Sequence, residues 1–224
     1  MVIVFHYPLC PFSRSVRLMA AEYGLEADWK EERAWDRRNE FLMINPAATL
    51  PVMIDEDGTI VCGSGVIFEY VEETRPPKSK SLLGNSPVER AEIRRLINWF
   101  DVKFNDEVTR NLVTEKVDRR FMSKELGGGP PNGKAVRAGL ANVRQHLRYI
   151  GYLVRQRNWL AGESLSYADL CAAAHLSCLD FLGDVPWGED QVAKDWYARI
   201  KSRPSFRGLL NDQVRGLTPP GSYT

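Results

Sequence analysis

The chain has 224 residues, enough to bury one large core or two modest ones. Its 44% hydrophobic and 26% charged content is ordinary for a soluble globular protein. A net charge of +1 excludes a global pull toward nucleic acid or membrane, so a charged partner must meet a local patch.

The N-terminal run VIVFHY at 2–7 reads as a strand ended by Pro8. It has neither the basic region nor the cleavage site of a leader, and no uncharged apolar run approaches the roughly 18 residues of a membrane span. Cysteines at 10, 62, 171 and 178 are too scattered for a disulfide scaffold and read as free thiols in a cytoplasmic protein. Apolar residues at helical spacing from Ser13 to Tyr23 predict a helix with Gly24 as its C-cap. A second extended run lies near Ala27–Glu31. Asp57-Gly58 sits between two β-branched runs, which is a hairpin signal, and Val66, Ile67, Tyr70 and Val71 mark a helix ending before Pro76-Pro77. This β-α-β-(irregular helix)-β-β-α order is the thioredoxin-like pattern and defines a first domain at 1–78.

The linker is placed at 79–86, within a stretch rich in proline, serine and lysine. An all-helical domain at 87–210 follows. Ser86-Pro87-Val88-Glu89 opens its first helix with a capping box, and Ile93, Leu96, Ile97, Phe100, Phe104 and Val108 continue one apolar face. After a GGGPPNGK break at 127–134, apolar positions from Val136 to Val154 alternate four and three apart. Ser166 and Asp169 form a second box that opens a helix running to about Leu182. Residues 211–224 lack periodicity and read as an extended tail that is either dispensable or a peptide for another protein.

Three segments carry a resemblance. Cys10-Pro11-Phe12-Ser13 opens the first helix as a redox motif does; Asn45-Pro46 through Leu50-Pro51-Val52 is similar to a cis-proline loop; LAGESLSYADLCAAAH and WYARIKSRPSF resemble a capped core helix and a terminal signature. Together they resemble the glutathione S-transferase superfamily. That resemblance implies a thioredoxin-like domain joined to a helical one, and a cis Leu50–Pro51 bond. It also implies a glutathione site at Pro51, Val52 and Ser64. In that family an acidic residue precedes the serine, whereas here Gly63 does. A lost charge-assisted hydrogen bond is worth about 1.5–3 kcal/mol, so the site reads as vestigial with no cofactor, and Ser64 can equally be a helix N-cap.

Cys10 at a helix N-terminus is placed for a lowered pKa, as in omega-class transferases, and Ser13 matches the serine of other classes; alternatively the apolar turn holds an inert thiol. Cys171, His175 and Cys178 share a helix face, but their alanine- and leucine-rich surroundings argue for core rather than metal. His6 and His146 have no local partner.

HYPLCPFSRSVRL, AWDRRNEFLMINPAATLPVM, the Gly63-Ser64 departure and LTPPGSYT resemble, more narrowly, glutathione-transferase-like division factors of alphaproteobacteria. This likeness implies a non-catalytic homodimeric adaptor, recruited to the division site, that binds filaments of the tubulin-like protein FtsZ. It leaves room for a second division protein at the tail. The alternative is a glutathione-dependent thiol transferase using Cys10 or Ser13. Between Arg110 and Lys124, five basic residues face Glu115 and Asp118, giving a local +3. Lys116, Arg119, Arg120 and Lys124, with Trp35 and Arg38, are the partner-surface candidates; the other reading is a solvated face and an inward-packed tryptophan.

Overall fold

The computed structural model describes residues 1–75, 77 and 81–223. The first two linker residues, 79 and 80, lie outside the described residues. In the N-terminal half, β1 (Val2–His6), α1 (Pro11–Tyr23), β2 (Ala27–Glu31), a 3₁₀ turn (Ala34–Asp36), α2 (Asn39–Ile44), β3 (Val52–Ile54), β4 (Ile60–Cys62) and α3 (Ser64–Thr74) follow in turn. The sheet order is β2-β1-β3-β4. β1 pairs parallel to β2, with Val4 opposite Trp29, and antiparallel to β3, with Val4 opposite Met53. The Asp57-Gly58 turn closes the β3–β4 hairpin with Gly58 at φ 87, a conformation open to glycine without steric penalty. Leu50–Pro51 is cis.

The helical half begins with α4 (Pro87–Asn98), whose Ser86–Glu89 capping box forms as expected. The helix runs on through Trp99–Asp118 with wider i→i+5 turns and ends in α5 (Arg119–Phe121). Its buried apolar residues, Phe100, Phe104, Val108, Leu112, Val113 and Val117, recur every four or five positions, as wider turns require. Then come α6 (Gly133–Gln156), α7 (Tyr167–Leu182), α8 (Gln191–Lys201) and the short α9 (Arg207–Leu210).

Every residue of α7 from Tyr167 to Phe181 is buried, so this helix is the axis of the molecule. It packs against α1 as closely as against its own half. Tyr167 stacks on Phe68 with ring centroids 4.0 Å apart, its hydroxyl lies 3.0 Å from Ser15 Oγ, and the Cys178 thiol donates to the Leu9 carbonyl at 3.3 Å. The two halves share one continuous core.

The box at Ser166–Asp169 forms, and its acidic member does more than cap. The fully buried Asp169 carboxylate accepts from Ser166 N (3.0 Å), Ser166 Oγ (2.9 Å), Leu160 N (3.0 Å) and Trp196 Nε1 (2.9 Å). It thereby fastens α7 to the preceding loop and to α8.

Over its described residues, 211–223, the tail departs from the extended segment expected at 211–224. Val214 bridges Leu217, a 3₁₀ turn forms at Gly221–Tyr223, and Tyr223 is fully buried against Phe181. Its hydroxyl accepts from Arg14 Nη1 at 3.1 Å and donates to the Leu209 carbonyl at 3.1 Å. Aperiodic sequence hid this because one aromatic anchor, not a repeating face, ties the segment down.

Two stability measurements follow. Ser166→Ala should cost about 1 kcal/mol, whereas Asp169→Ala should cost about 3 kcal/mol or more, because it orphans several buried donors; equal shifts in urea unfolding would contradict this. Tyr223→Ala should cost about 3–5 kcal/mol, as loss of a fully buried aromatic does, and Tyr223→Phe about 1 kcal/mol. A tail truncated before Tyr223 with wild-type unfolding would show the anchor to be unimportant.

Candidate functional site

A cavity of about 390 Å³ lies between the two halves. The β1–α1 loop supplies Tyr7, Leu9, Cys10 and Phe12, the 3₁₀ turn supplies Trp35, and the cis-proline loop supplies Leu50. The opposite wall is the wide-turned helix, with Asn105, Thr109, Arg110, Val113, Thr114 and Asp118. The wall is therefore assembled from both halves, which is where small-molecule sites commonly form.

Cys10 is the N-cap of α1, its sulfur accepting the Ser13 N–H at 3.4 Å. The sequence left two readings open, a thiol with a lowered pKa at the helix N-terminus and an inert thiol in an apolar turn. Burial pushes the Cys10 thiol up, outweighing the Ser13 bond that favours the thiolate. A helix terminus stabilises a charge by about 0.3–1 kcal/mol, less than desolvation costs it at this half-buried position. Tyr7, which sequence reasoning passed over, presents the cavity with a phenol held well above its ordinary range, chiefly by burial and then by Asp118 and Glu31. Both groups stay protonated at neutral pH. Ser13 is fully buried, and its Oγ accepts the Tyr7 N–H at 3.3 Å, so it braces the loop and does not line the cavity.

The three residues expected to hold glutathione are also occupied. Val52 sits in the sheet between Phe5 and Cys62, and the Pro51 carbonyl accepts the Gly63 N–H at 2.9 Å. Leu50, just before the proline, lines the cavity in their place. Ser64 is not the N-cap of α3; Gly63 is, at φ 94, and Ser64 is the first helical residue. Its hydroxyl donates across the interface to Asp101 Oδ2 at 3.4 Å. Asp101 Oδ1 meets His175 Nε2 at 3.3 Å, and His175 Nδ1 meets Thr109 Oγ1 at 2.8 Å. A carboxylate does stand beside Ser64, but it comes from the helical half and both its oxygens are engaged within the protein. Its separation of 37 positions from Ser64 left no signal in the sequence.

His175 thus serves a buried hydrogen-bond chain, while Cys178 bonds the Leu9 carbonyl. Among the described residues no group of three His, Cys, Asp or Glu side chains converges as a metal site would. His146, without a local partner in sequence, accepts from Trp99 Nε1 at 3.2 Å and meets Glu107 Oε2 at 2.9 Å through Nε2. His6 is buried beneath Trp29, which lowers its pKa to about 4.

The partner-surface candidates separate. Lys116 is drawn into an ion pair with Asp184, at 2.6 and 2.7 Å, and Arg119 lies 3.5 Å from Glu115. Arg38 pairs with the buried Glu32 at 2.6 Å, and Trp35 turns inward, edge-on to Tyr7 at 4.9 Å. Arg120, Lys124 and, outside the original set, Arg110 are exposed with no ion pair among the described residues.

The family described as glutathione S-transferase, N-terminal domain, matches residues 9–74, and glutathione S-transferase, C-terminal domain, matches residues 121–204. FtsZ-localized protein A of Caulobacter vibrioides is 44% identical over 223 residues, covering 97% of this chain and 94% of that protein. A crystal structure of a glutathione S-transferase from Rhodospirillum rubrum F11 superposes with a TM-score of 0.94 at 46% identity, covering 100% of this chain and 98% of that one. The structure of FzlA from C. crescentus superposes at 0.92 with 43% identity, covering 99% and 97%.

Burial raises the Asp118 carboxyl to about 6, against which the Thr114 hydroxyl bond at 3.0 Å works only partly. A carboxyl raised on folding binds its proton more readily in the folded chain. It therefore withdraws stability as pH rises from about 4 through about 6. Asp118→Asn should be more stable than wild type by about 2 kcal/mol at pH 8, with the gap closing by pH 4, when followed by denaturant unfolding at both values. An unchanged or reversed gap would mean the carboxylate is solvated.

Proposed function

We propose that this chain, which belongs to the glutathione S-transferase family, works without glutathione chemistry as a homodimeric adaptor on FtsZ filaments. In this reading it acts in the cytoplasm of a bacterium, is recruited to the division site and changes how the filaments are organised. The observation that carries it is the state of the inherited site. Gly63 stands where the family has a carboxylate, Ser13 and Ser64 are spent on internal hydrogen bonds, and burial keeps the Cys10 thiol protonated. Full-length similarity to a protein named for FtsZ localisation supplies the partner. Among the described residues no helix is long and apolar enough to cross a membrane.

The contact is assigned to Arg120 and Lys124, with Arg110 beside them. These exposed cations are free to meet an acidic filament, whereas Lys116 is held by Asp184 and serves the fold. A homodimer presents the patch twice and a polymer presents its target repeatedly, so weak single contacts gain through effective concentration. The buried anchor at Tyr223 limits any peptide read by a second division protein to the exposed part of 215–222.

A second reading, glutathione-dependent thiol transfer, has one observation in its favour: Cys10 lines an open cavity at a helix N-terminus.

Co-sedimentation with polymerised FtsZ separates the two. Arg120→Glu combined with Lys124→Glu should lower the pelleted fraction several-fold, and raised salt should do the same, because exposed charges are screened beyond about 8 Å at physiological ionic strength. Cys10→Ala should pellet as wild type, and calorimetry should detect no tight glutathione binding. Normal pelleting of the charge-reversed protein would remove the basic patch from the interface; glutathione binding at low micromolar concentration would replace the adaptor with the transferase.

A further inference from the structure

The cavity between the halves contains a carboxylate that no cation pairs with among the described residues. The Asp118 side chain lines both this cavity and an adjoining one that shares Trp35 and Thr114 with it. The Thr114 hydroxyl bonds it at 3.0 Å, and it makes no ion pair among the described residues. The residue is half-buried, and partial withdrawal from water is costly to a carboxylate that no cation pairs with.

The neighbouring charges do not supply that cation. On the same helix Arg110 is exposed at one end of the wall and Arg119 lies against Glu115. From the 3₁₀ turn, Arg33 stacks over the Phe121 ring at 5.5 Å and Arg37 is exposed at the edge of the adjoining cavity. Across the cavity, burial keeps Tyr7 and Cys10 neutral, and Glu31 on β2 adds only a further negative charge. The Trp35 and Tyr7 rings, edge-on to each other at 4.9 Å, line the same cavity as the carboxylate, and the face of an aromatic ring attracts a cation. The Trp35 Nε1 atom is buried without a hydrogen-bond partner. Leu9, Phe12, Leu50 and Val113 make the remaining wall apolar.

We propose that this cavity binds a small organic cation, a protonated amine on an apolar stem, with its ammonium group against Asp118 and beside Tyr7 and Trp35. The ammonium meets the uncompensated carboxylate and the two rings, and the stem takes the apolar wall. A volume of about 390 Å³ is in the range of small-molecule sites. The inference goes beyond the adaptor reading and holds whether or not the chain binds a filament.

Calorimetry on the full chain at pH 8 tests it with phenethylamine, its neutral counterpart 2-phenylethanol and the anion 3-phenylpropionate. The amine should bind about tenfold tighter than the alcohol, the margin of one charge-assisted hydrogen bond, and the anion should bind no better than the alcohol. Asp118→Asn, with thermal unfolding used to confirm that it folds, should abolish the preference for the amine while leaving the alcohol unchanged. A second arm needs no variant: taking wild-type protein from pH 8 to pH 5 protonates the carboxyl but not the amine, and should erase the same preference. Equal binding of amine and alcohol, no binding of the amine, or a preference that survives either the substitution or the pH change overturns the proposal.

Discussion

The structure depends on the burial of one guanidinium. Arg14, on α1, is wholly removed from solvent, and each of its three nitrogens donates to a partner. Nε donates to the Pro8 carbonyl at 2.6 Å, Nη1 to Ser177 Oγ at 2.8 Å and the Tyr223 hydroxyl at 3.1 Å, and Nη2 to Asp212 at 3.1 Å. These partners come from the first loop, the central helix and the last thirteen residues. A buried charge stripped of a partner typically costs about 3–5 kcal/mol, so all three segments must be in place together. Neither half of the chain completes this arrangement alone. That is why the two sequence-defined domains behave physically as one core, and why the tail is part of it. Arg17, one turn along, shares Asp212 and extends the clamp to the Gly208 carbonyl.

The same interface between the halves decides the chemistry of the cavity. A thiol at a helix N-terminus experiences two opposing effects, the favourable field of the helix and the penalty for leaving water. Where the loop carrying Cys10 caps α1 and its Leu9 carbonyl meets Cys178 of α7, desolvation is the larger, and the thiol stays a thiol. Tyr7 follows the same rule. The cavity wall therefore presents a neutral thiol and a neutral phenol at pH 7.

Polar groups beside Ser64 are turned inward. Ser64, Asp101, His175 and Thr109 form one hydrogen-bonded chain across the interface, from the first residue of α3 to the wide-turned helix. Buried polar groups retained in this way must be satisfied, and each here is. The chain holds the cavity's far wall in register with the thioredoxin-like half. Asp118 is the exception: it faces the same space, and a single hydroxyl bonds it.

Much of the fold was legible in residue order, because it rests on local physics. Turn chemistry at Asp57-Gly58, the caps at Ser86 and Ser166, the period of α6 and the cis-proline loop are all decided within a few residues of one another. The seam between the halves and the residues Cys10, Pro51 and Ser64 could likewise be named from motif and spacing. Their states could not, since a pKa or a hydrogen-bond partner is set by what packs from elsewhere. Only the tertiary structure placed Asp101 against Ser64, drew Lys116 to Asp184, turned Trp35 toward Tyr7 and buried Tyr223 beneath Arg14. Local sequence determines where the chain turns, starts and caps its helices; desolvation and pairing across the interface determine which of its groups carry charge, and that is a property of contacts between distant residues.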